Sequence, residues 1–187
     1  AHAAGGNAVV LTFFPHPALV LRGSSAPYYL TDPNEKAELL GKCGADAVLT
    51  ISFSPELAAL SAVDFIQIIK DHMRLTHLWV GYDFALGRNR EGDITRLTEI
   101  GRELGYEVNV LQAVTKESET VSSRQIRALL KEGAVDAAAR LLGRFYSVNG
   151  EVIHGDGRGR LLGIPTTNLQ YAPQRLLPKP GVYATYA

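Results

Sequence analysis

The feature that most constrains this chain is an alternation. Four runs rich in β-branched and aromatic residues, AVVLTFF (8–14), DAVLTISF (46–53), THLWVG (76–81) and YEVNVL (106–111), are separated by stretches of helical period. Such runs read as buried strands. Strands joined through helices pair in parallel, and a parallel sheet is covered on both faces. The helices carry their own punctuation. Asp32 with Pro33 opens one and Gly44 stops it; Ser61 with Asp64 opens another, running to about Met73. A third runs from about Asp93 to Leu104; Ser122 or Ser123 caps a fourth, Gly133 stops it, and VDAAARLLG makes a fifth. After Phe145 the helical period disappears. YSVNGEVIH, IPTTNL and the closing GVYATYA read as antiparallel β structure. The reading is therefore α/β, with a domain over 1–143 and a smaller β segment over 144–187.

Composition narrows the classes. The 187 residues are 46% apolar and 20% charged, with 19 basic and 19 acidic side chains, which is ordinary for a globular chain and argues against bulk nucleic-acid binding. No apolar run reaches the roughly 18 residues of a membrane helix, and AHAAGGNA has neither the basic nor the apolar region of a secretion signal. The lone Cys43 forms no internal disulfide, which fits a cytoplasmic location. A homo-oligomer is compatible with all of this. The chain opens almost directly on a strand and closes on one, so it reads as a piece cut at both ends from something longer.

In an open parallel sheet, ligands bind beyond the carboxyl ends of the strands. Pro15, His16 and Pro17 follow the first run; GYDFALGRNREGD (81–93) follows the third; the connection after the fourth ends in VSSRQIR (121–127). These loops offer glycine backbone at Gly81, Gly87 and Gly92, cations at Arg88, Arg90, Arg124 and Arg127, and a hydroxyl-capped helix start at Ser122 and Ser123. All suit a polyphosphate. Plainer roles stay open: Ser122 and Ser123 as caps alone, the arginines as a solvated face, His16 as a structural residue between prolines, the glycines as turns. No Walker loop, dinucleotide glycine fingerprint or nucleophile elbow is present. His72 and His77 lack a third ligand, so no structural zinc is expected. Beyond the boundary, Gly155, Gly157, Gly159 and Gly163 with Arg158 and Arg160 make a cationic glycine loop. Thr166 and Asn168 add neutral oxygens of the kind Mg²⁺ shares with phosphates; a long hairpin with a solvated tip is the alternative.

With these residues assembled, the chain resembles the bacterial bifunctional riboflavin kinase/FMN adenylyltransferases, or FAD synthetases. TFFPHP (12–17) resembles the family's TFxPHP element, GYDFALGRNREGD its GxDFxFG-type loop, and VSSRQIR the serine–arginine motif of the nucleotidyltransferases. GRGRLLGIPTTN resembles the kinase module's GRxLGxPTxN, and PKPGVYA its PxxGVYA. The resemblance implies a Rossmann-like parallel-sheet nucleotidyltransferase domain followed by part of an antiparallel β-barrel riboflavin kinase domain. It implies a transferase that phosphorylates riboflavin to FMN and adenylates FMN to FAD, with ATP as co-substrate and Mg²⁺ as cofactor. Ser122, Ser123, Arg124, Arg127, Gly81 and Gly87 would serve ATP; Pro15, His16, Pro17, Asp83 and Phe84 would line the flavin. Gly155, Gly157, Gly159, Arg160, Gly163, Thr166 and Asn168 would form the kinase site, with Thr166 and Asn168 at the metal. The partners are small molecules, with neither nucleic acid nor membrane among them. The family's HxGH loop and the kinase's acidic residue find no match here, so no catalytic residue is identified. The chain is expected to bind flavin or nucleotide weakly and to catalyse neither reaction, with the residues after Arg144 more mobile than the rest. Two rivals are another adenylyltransferase of the superfamily, for pantetheine phosphate or nicotinate mononucleotide, and a non-catalytic flavin- or nucleotide-binding fragment.

Overall fold

A computed structural model describes residues 1–23, 27–116, 119–161, 163–164 and 166–187. The elements follow in the order β1 (Val9–Phe14), α1 (Pro17–Arg22), α2 (Pro33–Lys42), β2 (Ala47–Ser52), α3 (Pro55–Ala59), α4 (Ala62–Met73), β3 (His77–Gly81), α5 (Ile94–Leu104) and β4 (Glu107–Leu111). Then come β5 (Thr115–Lys116), β6 (Glu119–Thr120), α6 (Ser123–Glu132), α7 (Val135–Leu142), β7 (Glu151–Ile153), α8 (Arg158–Leu161) and β8 (Asn168–Gln170). The chain is mixed α/β with short parallel sheets. It divides into two compact units, Ala1–Ser24 with Pro33–Val114, and Ser25–Asp32 with Thr115–Ala187.

In the first unit β1 pairs in parallel with β2, from Val9 opposite Ala47 to Phe14 opposite Ser52. β3 pairs in parallel with β4, from His77 opposite Glu107 to Gly81 opposite Leu111. Among the described residues, the parallel sheet read from the alternation is two parallel pairs, β1 with β2 and β3 with β4. The alternation fixes which strands a helical crossover joins. It carries no information on the lateral order between pairs, which is set by non-local hydrogen bonds. The core lies under β3 and β4, where Ala62 and Ile66 of α4 meet Leu97 and Ile100 of α5 and Tyr106, with Leu78 and Val108 against them. Positions 62 and 66, and 97 and 100, follow helical spacing, so each helix turns one apolar stripe inward. The Tyr106 hydroxyl donates to the Leu97 carbonyl at 2.9 Å, and burial pushes its phenol pKa up. A Cβ on Gly101 would lie 2.6 Å from the Tyr106 carbonyl oxygen, so only glycine lets α5 approach there. On the other face of this pair Trp79 is 55% exposed.

The caps agree with the sequence. Ser61 accepts from the Asp64 N–H and donates to its carboxylate, Asp93 accepts from the Arg96 N–H, and Ser122 accepts from the Gln125 N–H. In the second unit Ile126 and Leu130 of α6, Ala138 of α7 and Leu176 form the core, with Leu30 and Tyr146 beside them. The segment at Tyr29 bridges Arg175, and the Leu176 N–H donates to the Tyr29 carbonyl. Packing therefore groups α6 and α7 with residues on both sides of Gly143. Beyond Gly143, β7 and β8 pair antiparallel over three residues each. GVYATYA, read as a strand, has no strand in it: Val182 is 102% and Tyr186 93% exposed. Local β propensity makes a strand only where a neighbouring strand completes the ladder.

Candidate functional site

After β1, the Pro15–Pro17 loop turns directly into α1. The Nδ1 of His16 accepts from the Ala18 N–H at 3.1 Å and Pro17 opens the helix. His16 therefore caps a helix that the sequence reading missed, because the PHP sequence reads as a break. After β3, the Tyr82 N–H donates to the Leu111 carbonyl and the Phe84 N–H to that of Gly81, each at 3.1 Å. This tight turn leaves Asp83 and Phe84 exposed. A pair of hydrogen bonds between Leu86 and Gly92 closes the neck of the loop that follows. Within it, Gly87 has φ +78° and a Cβ there would lie 2.6 Å from the Ala62 nitrogen; one on Gly92 would lie 2.6 Å from the Ala62 Cβ. Both glycines are required by close packing on the start of α4; the sequence offers their backbone for phosphate approach, with turns alone as the alternative. Gly81 has ordinary space, with the Asp83 Oδ1 3.5 Å from its notional Cβ.

In the second unit, Ser122 is the N-cap of α6 and its Oγ accepts from the Gln125 N–H at 3.2 Å. Ser123 and Arg124 open the helix and are exposed. Arg127, one turn on, is held by Tyr28. Its Nε donates to the Tyr28 carbonyl at 2.9 Å, and its guanidinium carbon stands 3.8 Å above the centre of the Tyr28 ring. Burial lowers the Arg127 pKa, while the neighbouring Tyr28 and Tyr146 phenols pull it back up. Tyr28 carries no motif, so nothing in the sequence marks it as the partner.

The glycine loop of this unit is partly helical, since α8 occupies Arg158–Leu161. Its fold brings Gly157, Gly159, Thr166 and Asn168 together. A pocket of ≈ 370 Å³ is lined by Asp156, Arg158, Thr166, Asn168 and the Gly157 and Gly159 backbone. A Cβ on Gly155 would collide with the Asn168 side chain, and one on Gly159 with the Ile164 carbonyl, so these two glycines fit the pocket wall closely. Arg160 lies within α8, and Gly163, with φ +73°, faces open space. Pro165, which precedes Thr166, lies outside the described residues. Asp156, which the sequence reading did not single out, pairs with Arg158 at 3.0 Å in an exposed bridge. Thr166, Asn168 and Asp156 present hydroxyl, amide and carboxylate oxygens, a donor set suited to Mg²⁺ that keeps waters and shares a substrate phosphate.

Comparison with known proteins supplies the context for these loops. Residues 1–125 match the family model described as FAD synthetase, and residues 142–187 that of riboflavin kinase. A bifunctional riboflavin kinase/FMN adenylyltransferase of Listeria monocytogenes is 37% identical over 183 residues, 96% of this chain and 57% of that protein. One of Escherichia coli strain K12 is 37% identical over 177 residues, 94% of this chain and 56% of that protein. A crystal structure described as a macrolide-efflux protein from Streptococcus pneumoniae superposes with a TM-score of 0.83 at 28% identity, covering 98% of this chain and 60% of that one. Among the described residues no helix is long and apolar enough to cross a membrane. The chain spans a little over half the length of the curated relatives it matches, 57% and 56%. By its FAD synthetase match over two thirds of its residues, this chain belongs to the FAD synthetase family.

Proposed function

We propose that this chain works in FAD biosynthesis, where its first part belongs to an FMN adenylyltransferase and its last part to a riboflavin kinase, with the functional boundary near Gly143. The observation that carries the reading is the order of the two matched modules along one polypeptide. In the first reaction an FMN phosphate oxygen attacks the α-phosphorus of ATP, and the bond to pyrophosphate breaks, leaving FAD. Such a step needs in-line placement and donors for the charge that develops on pyrophosphate, with no covalent intermediate on the protein. We assign Ser122, Ser123, Arg124 and Arg127 to ATP as donors, and the backbone of Gly81 and Gly87 to ATP as well. Pro15, His16, Pro17, Asp83 and Phe84 fit the flavin, offering a stiff turn, a carboxylate and an aromatic face. The Rossmann-like nucleotidyltransferase sheet is the framework this assignment requires.

In the second reaction the riboflavin 5′-hydroxyl attacks the γ-phosphorus of ATP and ADP leaves. Gly155, Gly157, Gly159, Arg160 and Gly163 border the phosphates in this reading, and the antiparallel β-barrel is the proposed setting. Thr166 and Asn168 would hold Mg²⁺, which supplies charge neutralisation on the phosphates when bound. The cytoplasm is the proposed location.

Thin-layer separation of products from labelled ATP incubated with riboflavin, and separately with FMN, tests the reading. FAD from FMN supports the enzyme. A change in flavin fluorescence without product supports a binding fragment, and neither signal refutes both.

A further inference from the structure

Glu91 belongs to none of the residues assigned above. Its Oε1 accepts the Ala62 N–H at 3.0 Å. Ala62 is buried and opens α4, so its N–H has no acceptor within the helix. The hydroxyl of Ser61, the N-cap, is occupied by Asp64. The same spot anchors the loop in three further ways: Gly87 and Gly92 press on Ala62, and the Arg88 N–H donates to the Leu60 carbonyl at 2.8 Å. Beside Glu91, Arg90 reaches the other way, and its Nη2 donates to the Asp83 carbonyl at 3.0 Å. Arg90 and Asn89 hold φ of +60° and +54°, a backbone path that turns these neighbouring side chains to their separate targets.

We propose that Glu91 is a positioning residue for the Asp83–Phe84 turn: it fixes the base of the 81–93 loop on α4, and Arg90 carries that fix to the Asp83 carbonyl. The inference rests on the reading that this turn lines the flavin. Its test is a fluorescence titration of the full chain with FMN, paired with amide hydrogen exchange over 82–93, at a temperature where every variant is folded by circular dichroism. Glu91→Ala should raise the FMN Kd on the order of tenfold, the usual scale for loss of a charge-assisted hydrogen bond. The Leu86, Arg88 and Gly92 amides should exchange faster. Glu91→Gln keeps an acceptor oxygen and should restore both properties to within about twofold of the unaltered chain.

Faster exchange with unchanged FMN affinity would reduce Glu91 to a helix cap and overturn the proposal; unchanged exchange would overturn the anchoring itself. Should Glu91→Ala fail to fold, Arg90→Ala cuts only the outer link. It should weaken FMN several-fold and leave the Leu86 and Gly92 amides protected, and unaltered FMN binding there also overturns the proposal. An unaltered chain that binds no FMN overturns the flavin reading, and the exchange data then still decide the anchoring separately.

Discussion

The α4–α5 layer of the first unit and the β7–β8 hairpin of the second are both rich in apolar residues, yet they stand in opposite relation to water. Ile66, Leu97 and Ile100 are fully buried, whereas Val152 is 67% exposed and Leu169 lies open beside it. The helices are specified locally, by caps and a helical stripe, and they close on each other across β3 and the 82–93 loop. The hairpin has a ladder of three residues and its apolar side chains meet no buried cluster among the described residues. Apolar composition alone therefore does not make a core; stabilisation follows the area removed from water.

The largest effect that would break this contrast is in the helical layer. Leu97→Ala should cost about 2–5 kcal/mol by lost burial and the cavity left behind, and Val152→Ala no more than about 0.5 kcal/mol. Thermal unfolding followed by circular dichroism compares them, and equal losses would show that the hairpin is buried in solution. Next in size is Arg127→Ala, which removes both the hydrogen bond to Tyr28 and the ring contact. About 1–3 kcal/mol should be lost from the second unit, and in a calorimetric titration ATP should bind on the order of tenfold more weakly. A loss of stability with ATP affinity intact would make Arg127 a tether for Tyr28 alone. Ser61→Ala comes third, with about 1 kcal/mol expected from a lost N-cap in urea unfolding.

The smallest effect is electrostatic. The Ala8 N–H and then the His2 ring hold the Asp46 carboxyl below the ordinary aspartate range. A depressed carboxyl stabilises the fold above its unfolded pKa and loses that contribution as the pH falls through its folded pKa. The Tm gap between the unaltered chain and Asp46→Asn should accordingly be small at pH 7 and close below about pH 4. A gap that widens on acidification would reverse the assignment.

Much of the fold was legible because its signals are local. Ser61 with Asp64, Asp93, Ser122 and Gly133 mark helix ends by hydrogen bonds that span only a few residues. The division into two parallel pairs was not legible, because β pairing is decided by residues far apart in sequence. GVYATYA misled for the same reason, alternating like a strand without a described partner. At the site, the sequence displays the loops but not the packing within them. Thr166 and Asn168 do meet the glycine loop in one pocket. Gly87 and Gly92, however, are glycine for the sake of Ala62, and Arg127 faces Tyr28, a residue 99 positions away. Which neighbour a small or cationic residue serves is settled by packing, and packing leaves no motif.

The exposure of Trp79 on β3 has an optical consequence. Trp79 is the chain's one tryptophan, and it stands half in water. Its emission should already be red-shifted and accessible to acrylamide in the folded protein, so denaturation would change it little. Anything that covers the strand pair would shift the emission to the blue, which makes the native chain its own indicator of contact at that surface.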